Sequence, residues 1–260
     1  MVLAIDIGNS NIAFGIHTGK TVREHWRLRT DPSKTADEYR VLFKSLLSES
    51  TIPLEEVKRV VISSVVPALT HPLSRMVGTL SGQKPLIVSR QLENGLDPTI
   101  TIPPELGADL LANAVAANAL FEDSVIVVDF GTALTFTAVS SDGAILGVTI
   151  SPGLRASLNA LTSNTAQLLN VELIPPPSTL GQNTVHSIQS GVVLGYVALV
   201  EGIVGRMRGD IQRDHPGAVR VVATGGMADN IAPLTEVFDE IRPWHTLDGL
   251  RVFADLNPAS

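Results

Sequence analysis

The segment Val2-Leu-Ala-Ile-Asp6-Ile-Gly8-Asn-Ser10 runs four apolar residues into Asp-x-Gly and then small polar side chains. The segment Val125-Ile-Val-Val-Asp129-Phe-Gly131-Thr-Ala133 repeats that pattern 123 positions later. Each is followed by a second apolar, β-rich run, Ile12–Ile16 and Leu134–Val139, then a turn and a third run, Val22–Leu28 and Ala144–Ile150. The turns Thr18-Gly19-Lys20 and Ser141-Asp142-Gly143 carry the glycine that a tight hairpin needs. A spacing of this size in 260 residues reads as a duplicated domain, each half opening with three antiparallel strands.

Working outward, Thr35–Ser48 has Tyr39, Leu42, Phe43, Leu46 and Leu47 at helical spacing behind a Thr35-Ala-Asp-Glu38 capping box. Arg59–Ser64, Pro85–Ser89 and Ala218–Ala223 read as short buried strands. Asp109–Phe121, Val185–Met207 and Thr246–Leu256 read as helices. Strands alternating with helices make the class α/β. The division is expected near residues 118–124, giving halves 1–118 and 119–260.

Composition narrows the function. With 19 Lys and Arg against 26 Asp and Glu the net charge is -7, and no basic block is present, which argues against a nucleic-acid partner. The absence of Cys excludes disulfides, thiolate metal sites and a thiol nucleophile, and fits a reducing cytoplasm. Uninterrupted apolar stretches such as Gly191–Val200 fall short of the roughly 18 residues of a membrane span, and Met1–Ile5 reaches Asp6 without a basic leader region, so neither a membrane partner nor a signal peptide is expected.

An Asp at the end of a buried strand, followed by Gly and hydroxyl or amide side chains, makes a tight turn whose amides can face phosphate oxygens. Its carboxylate can hold a hydrated Mg²⁺, the role expected of Asp6. A single copy is more often a plain hairpin; two copies at equivalent places favour paired phosphate loops, the arrangement by which the actin-like and sugar-kinase superfamily holds ATP across an interdomain cleft. Thr224-Gly225-Gly226 after a late strand resembles that superfamily's adenosine-binding turn. Phosphoryl transfer also needs a carboxylate to take the acceptor's proton. Asp109, in Glu105-Leu-Gly107-Ala-Asp109, is the best placed, although spacing alone favours a helix cap worth about 1 kcal/mol.

Ten collinear blocks are similar to the type III pantothenate kinase family. They are Asp6-Ile-Gly-Asn-Ser-Asn11, Ile62-Ser-Ser-Val-Val-Pro67, Gly107-Ala-Asp109 with Ala112-Asn-Ala-Val-Ala-Ala117, Asp129-Phe-Gly-Thr-Ala133, Leu146-Gly-Val-Thr-Ile-Ser-Pro-Gly153, Gly181-Gln-Asn-Thr184, Gln189-Ser-Gly191, Leu199-Val-Glu-Gly202, Ala223-Thr-Gly-Gly226 and Thr246-Leu-Asp-Gly-Leu250. The resemblance implies two ribonuclease-H-like domains and an ATP-dependent kinase acting on pantothenate in coenzyme A synthesis. It implies that Asp6, Ile7, Gly8, Asn9, Ser10, Asn11, Ile12 and Ala13 form the first phosphate loop, and that Gly131, Thr132, Gly225 and Gly226 also serve ATP. Asp129 matches a ligand for a monovalent cation, K⁺ or NH₄⁺. Asp109 matches the general base. Gly107, Ala108, Asp109, Leu110 and Thr184 match pantothenate contacts, and a homodimer is implied.

Two positions depart from the family pattern. Leu110 stands where the family has an Arg after the base, and Ile100 where a Tyr is common. Both changes strip polar groups from the implied pocket, so the alternative is a non-catalytic or altered-substrate paralogue, an accessory or regulatory factor. Arg90 and Arg155 are candidates to restore the missing charge. The six histidines show no metal-ligand spacing; His186 lies two residues from Thr184. Glu201, inside an apolar stretch, reads equally as a helix-surface residue or a buried partner.

Overall fold

Each Asp-bearing segment starts a five-stranded sheet. In the first, β1 (Val2–Ile7), β2 (Asn11–Thr18) and β3 (Thr21–Arg29) form an antiparallel meander whose turn places Gly19 at φ 58°. Helix α1 (Ala36–Ser48) follows, held at its start by the reciprocal Thr35–Glu38 capping box. Strand β4 (Arg59–Ser64) then pairs parallel to β1, helix α2 (Pro67–Ser81) follows, β5 (Leu86–Ile87) pairs parallel to β4, and helix α3 (Ala108–Leu120) comes next.

The second sheet repeats the plan. The meander β6 (Ser124–Phe130), β7 (Ala133–Val139) and β8 (Ile145–Pro152) leads into helix α4 (Leu154–Ser163). Helix α5 (Thr184–Gln189) continues through a π-helical stretch, Ser190–Leu194, into α6 (Gly195–Asp214). Strand β9 (Val219–Thr224) pairs parallel to β6, and after the short helix α7 (Ala228–Ile231), β10 (Glu240–Ile241) pairs parallel to β9. The strand orders are β3-β2-β1-β4-β5 and β8-β7-β6-β9-β10, one topology used twice. This is the duplicated α/β architecture expected from the repeat, in the ribonuclease-H-like form that the resemblance implied.

This computed structural model describes residues 1–97, 99, 102–103, 105–163 and 171–258. It divides into a unit of Met1–Leu120 with Trp244–Ser260 and a unit of Phe121–Pro243. The final helix, α8 (His245–Leu256), therefore belongs with the first unit, whereas the sequence reading placed everything from 119 to 260 in the second half. The physical reason is packing. Helix α8 lies against α3, β1 and β4. Gly249 is what lets it approach α3, since a methyl group there would sit 2.7 Å from the Ala112 carbonyl carbon. Thr246 Oγ1 donates to Asn113 Oδ1 at 2.8 Å, His245 Nε2 lies 3.1 Å from the Asn113 carbonyl oxygen, and the buried His17 Nε2 lies 3.3 Å from Asp248 Oδ1.

Strand alternation divides the first sheet's faces. Leu3, Ile5, Ile7, Val60 and Ile62 join Tyr39, Phe43, Leu69 and Leu73 of α1 and α2 in one core. Phe14 is stacked 4.4 Å from Phe43 and 5.2 Å from Trp26, tying β2 to α1 and β3. Truncating such a ring to Ala costs about 3–5 kcal/mol. Asp6 and Ser63 alternate to the opposite face, the side that α3 and α8 cover.

In the second unit the helical run Thr184–Asp214 is, by length and composition alone, able to cross a membrane, although uninterrupted apolar stretches within it are short. Its valine face, Val192, Val193, Val197, Val200 and Val204, instead builds the core against Ile126, Val128, Phe136 and Val221.

Candidate active site

Asp6 is the penultimate residue of β1, and its in-register neighbour on β4 is Ser63. Ser63 Oγ donates to Asp6 Oδ1 at 2.8 Å, fixing the carboxylate where the chain enters the first loop. The loop is closed by Gly8 N–H donating to the Asn11 carbonyl at 3.0 Å, and anchored by Thr30, whose hydroxyl donates to the Gly8 carbonyl at 2.6 Å and whose amide donates to the Ser10 carbonyl at 3.0 Å. Asn9, Ser10 and Asn11 are exposed at its tip, while Ala13 pairs back with Asp6. Ile7 and Ile12, expected in the loop, bury their side chains fully in the core, so only their backbone can meet a ligand.

The second unit places Asp129 opposite Thr224 in the parallel β6–β9 pair, the same register that sets Asp6 beside Ser63. The turn is one residue shorter, with Phe130 pairing Leu134 where Ile7 pairs Ile12. Gly131 and Thr132 are exposed. Gly225, at φ 90°, folds onto this loop so closely that a methyl group would sit 2.7 Å from the Phe130 amide nitrogen. Gly153, after β8, packs on the other side, where a methyl group would meet the Gly131 carbonyl oxygen at 2.8 Å. Asp129, Gly131, Thr132 and Gly225 are thus brought to one sheet end, with Gly226 next in the chain. The sequence signal for Gly153 is only its place at the end of Leu146–Gly153, since its close approach to the Gly131 carbonyl depends on the fold.

Asp109 occupies the first turn of α3. It is not the cap that spacing suggested: the Gly107 carbonyl accepts the first helical bond, from Leu111 N–H at 3.0 Å. Asp109 Oδ1 accepts the Leu110 amide at 2.8 Å. Burial pushes the Asp109 carboxyl above the usual carboxylate range, outweighing that hydrogen bond. A methyl group on Gly107 would press on Asp109 Oδ1 and turn the carboxyl aside, so the glycine leaves Asp109 its present orientation.

Beside this turn a cavity of about 400 Å³ opens past the carboxyl ends of β4 and β5, where open α/β sheets place their ligands. Its wall includes Ser64, Ser89, Arg90, Gly107, Ala108 and Leu111. Leu110 does not line it. Of the two arginines named from sequence, Arg90 lies in this wall, whereas Arg155 is exposed in the first turn of α4 in the other unit. Ile100 lies outside the described residues. Thr184 is exposed at the start of α5 in the second unit, behind an Asn183 cap whose Oδ1 accepts the His186 amide at 2.9 Å. Glu201 proves to be a surface residue, accepting from Thr235 Oγ1 at 2.7 Å.

Among the described residues no three His, Asp or Glu side chains gather as a metal site. A divalent ion would therefore rely on a carboxylate, water and substrate phosphates, the usual manner of holding Mg²⁺.

Duplicated ribonuclease-H-like units with an Asp-x-Gly turn at the end of each first strand define the chain as an α/β protein of the actin-like and sugar-kinase class. Residues 2–206 match the sequence profile of the type III pantothenate kinases. The chain is 39% identical over 257 residues to the type III pantothenate kinase of Exiguobacterium sibiricum, covering 99% of this chain and 100% of that protein. It is 42% identical over 257 residues to that of Moorella thermoacetica, with the same coverage. The chain belongs to the type III pantothenate kinase family. In fold it is similar to the crystal structure of a conserved Baf-family protein of Campylobacter jejuni described as a transcriptional activator, at a TM-score of 0.58, 20% identity and 97% coverage of both chains.

Proposed function

We propose that the protein transfers the γ-phosphoryl group of ATP to the hydroxyl of pantothenate, giving ADP and 4′-phosphopantothenate for coenzyme A synthesis. The observation that carries this reading is the half-buried Asp109 carboxyl in the first turn of α3, next to Gly107 and Ala108 in the wall of a cavity large enough for a small substrate. Family membership supplies the reaction class.

In this reading the pantothenate hydroxyl oxygen attacks the γ-phosphorus in line. The bond to the β–γ bridging oxygen breaks with its electron pair leaving on ADP, and the hydroxyl proton passes to Asp109. A carboxylate with a raised pKa is a stronger acceptor than an ordinary Asp. The Asp-x-Gly loops, Asp6–Ala13 and Asp129–Thr132, would serve the nucleotide phosphates through backbone amides, and Asp6 would help hold the Mg²⁺ that offsets phosphate charge. Gly225 and Gly226 serve the adenosine. Asp129, a hard oxygen donor beside the second loop, would hold a monovalent cation and so add positive charge that an acidic protein needs near phosphates. Gly107 and Ala108 would contact pantothenate, and Thr184 is a further contact; Leu110, outside the cavity wall with its amide held by Asp109, offers it nothing.

We also propose a homodimer working in the cytoplasm. Only 33% of the apolar window within Thr184–Asp214 is buried in one chain, which leaves surface for a second copy to cover. Light scattering showing a monomer at assay concentration would reject this.

The activity is tested by coupling ADP release to pantothenate addition, with and without potassium. Release that depends on pantothenate is expected. No such release with any monovalent cation would reject the reading in favour of a regulatory relative.

A further inference from the structure

We propose that Arg90 binds the carboxylate of the substrate and sets the enzyme's preference for an acid over the corresponding neutral alcohol; this rests on the pantothenate kinase reading above. Among the described residues that line the cavity past β4 and β5, Arg90 is the one cationic side chain and none is a carboxylate. Arg90 follows Ser89 in the segment leaving β5, and both line the cavity together with Ser64 at the end of β4. Among the described residues Arg90 makes no ion pair and no side-chain hydrogen bond. An arginine in a cavity wall with no ion-pair partner among the described residues is a ready site for an anion, because its planar fork matches a carboxylate with two parallel N–H bonds.

The need for such a group is clear from charge. The protein carries a net charge of -7, so an anionic substrate must be drawn in by a local cation. Leu110, at the position next to the base, supplies none and does not face the cavity. Arg90 comes from a different element, yet reaches the same wall as Gly107 and Ala108. Its exposed stem is not packed in the core, so replacing it removes charge without removing structure.

The test compares pantothenate with pantothenol, in which a primary alcohol replaces the carboxylate, on the full-length protein. Wild type, Arg90→Gln and Arg90→Lys are assayed for the KM of pantothenate, the KM of ATP and the inhibition constant of pantothenol. Loss of a charge-assisted pair predicts that Arg90→Gln raises the pantothenate KM by about 10- to 100-fold. Arg90→Lys should fall between Gln and wild type, the ATP KM should hold, and pantothenol should bind wild type and Arg90→Gln alike. An unchanged pantothenate KM in Arg90→Gln, or an equal loss for acid and alcohol, overturns the assignment while leaving the kinase reading intact. Failure of the wild type to turn over pantothenate overturns both.

Discussion

Ser63 Oγ donates to Asp6 Oδ1 at 2.8 Å across the parallel pairing of β4 with β1, and the same register in the second unit sets Thr224 beside Asp129. A hydroxyl residue on the neighbouring strand thus stands in register with the loop Asp in both copies of the fold, and in the first it donates to the carboxylate. Such partners fix a ligand's orientation, and losing one typically costs 10–100-fold in metal affinity or activity. Ser63→Ala should lower turnover by roughly that factor, chiefly through the Mg²⁺ dependence, whereas Asp6→Asn should cut it more deeply with little change in Tm. Normal turnover in Asp6→Asn would remove the first loop from the chemistry.

Asp109→Asn separates the base from its structural surroundings. The amide oxygen can still accept the Leu110 N–H, so the helix start survives, but no proton can be taken. Turnover should fall by about 10²–10⁴. Because burial raises the carboxyl's pKa in the fold above its unfolded value, the native state favours the protonated form. The stability this gives is fully present below the unfolded pKa and is lost as pH rises through the folded one. At neutral pH the variant should therefore melt above wild type, and below about pH 4, near the unfolded pKa, the difference should vanish. Wild-type activity should in turn fall away on acidification at a pH above that of an ordinary Asp. A stable variant with normal turnover would make Asp109 structural.

Gly225 combines a left-handed backbone with contact against Phe130, so Gly225→Ala meets both strain and overlap. The expected loss is about 1–3 kcal/mol of stability, with a raised ATP KM as the loop shifts. Thermal melting and ATP titration read the two effects, and an unchanged ATP KM would separate this turn from the nucleotide.

Gly249→Ala should push α8 away from α3 and cost about 1–3 kcal/mol. Since α3 carries Asp109, kcat should drop more than the ATP KM changes. Thr246→Val, which removes one hydrogen bond to Asn113 without adding bulk, should show a smaller effect in the same direction. A Gly249→Ala enzyme as stable as wild type would mean that the two helices do not need their close approach.

The repeat made the two meanders readable, since hairpin glycines and alternating apolar residues are local signals. Helix α2 was not readable, because Pro67 and Pro72 look like breakers although Pro67 sits harmlessly in the first turn and Leu69, Leu73, Met76 and Val77 supply the buried stripe. The placement of α8 was also hidden. An amphipathic helix shows that it has an apolar face but not which sheet that face covers; the fit of Gly249 to Ala112 and the polar contacts with Asn113 and His17 decide it. At the site, Asp6, Asp109 and Asp129 stood out by motif and resemblance. Ser63 did not, since an Oγ–carboxylate bond between residues 57 apart depends on strand register. Arg90 emerged as a possibility, and its place in the cavity wall depends on where the chain runs after β5.

That α8 returns to the first unit has a consequence for how the chain is made. The ribosome delivers β1 to α3 first, but the helix that covers β1 and β4 arrives only after the whole of Phe121–Pro243. The second unit is uninterrupted in sequence and can finish its core during synthesis, while the first must wait with the face around Ala4 and Val61 uncapped. The part translated earliest is thus the last to be completed, and a nascent chain arrested before Trp244 would carry the first phosphate loop and Asp109 on an unfinished support.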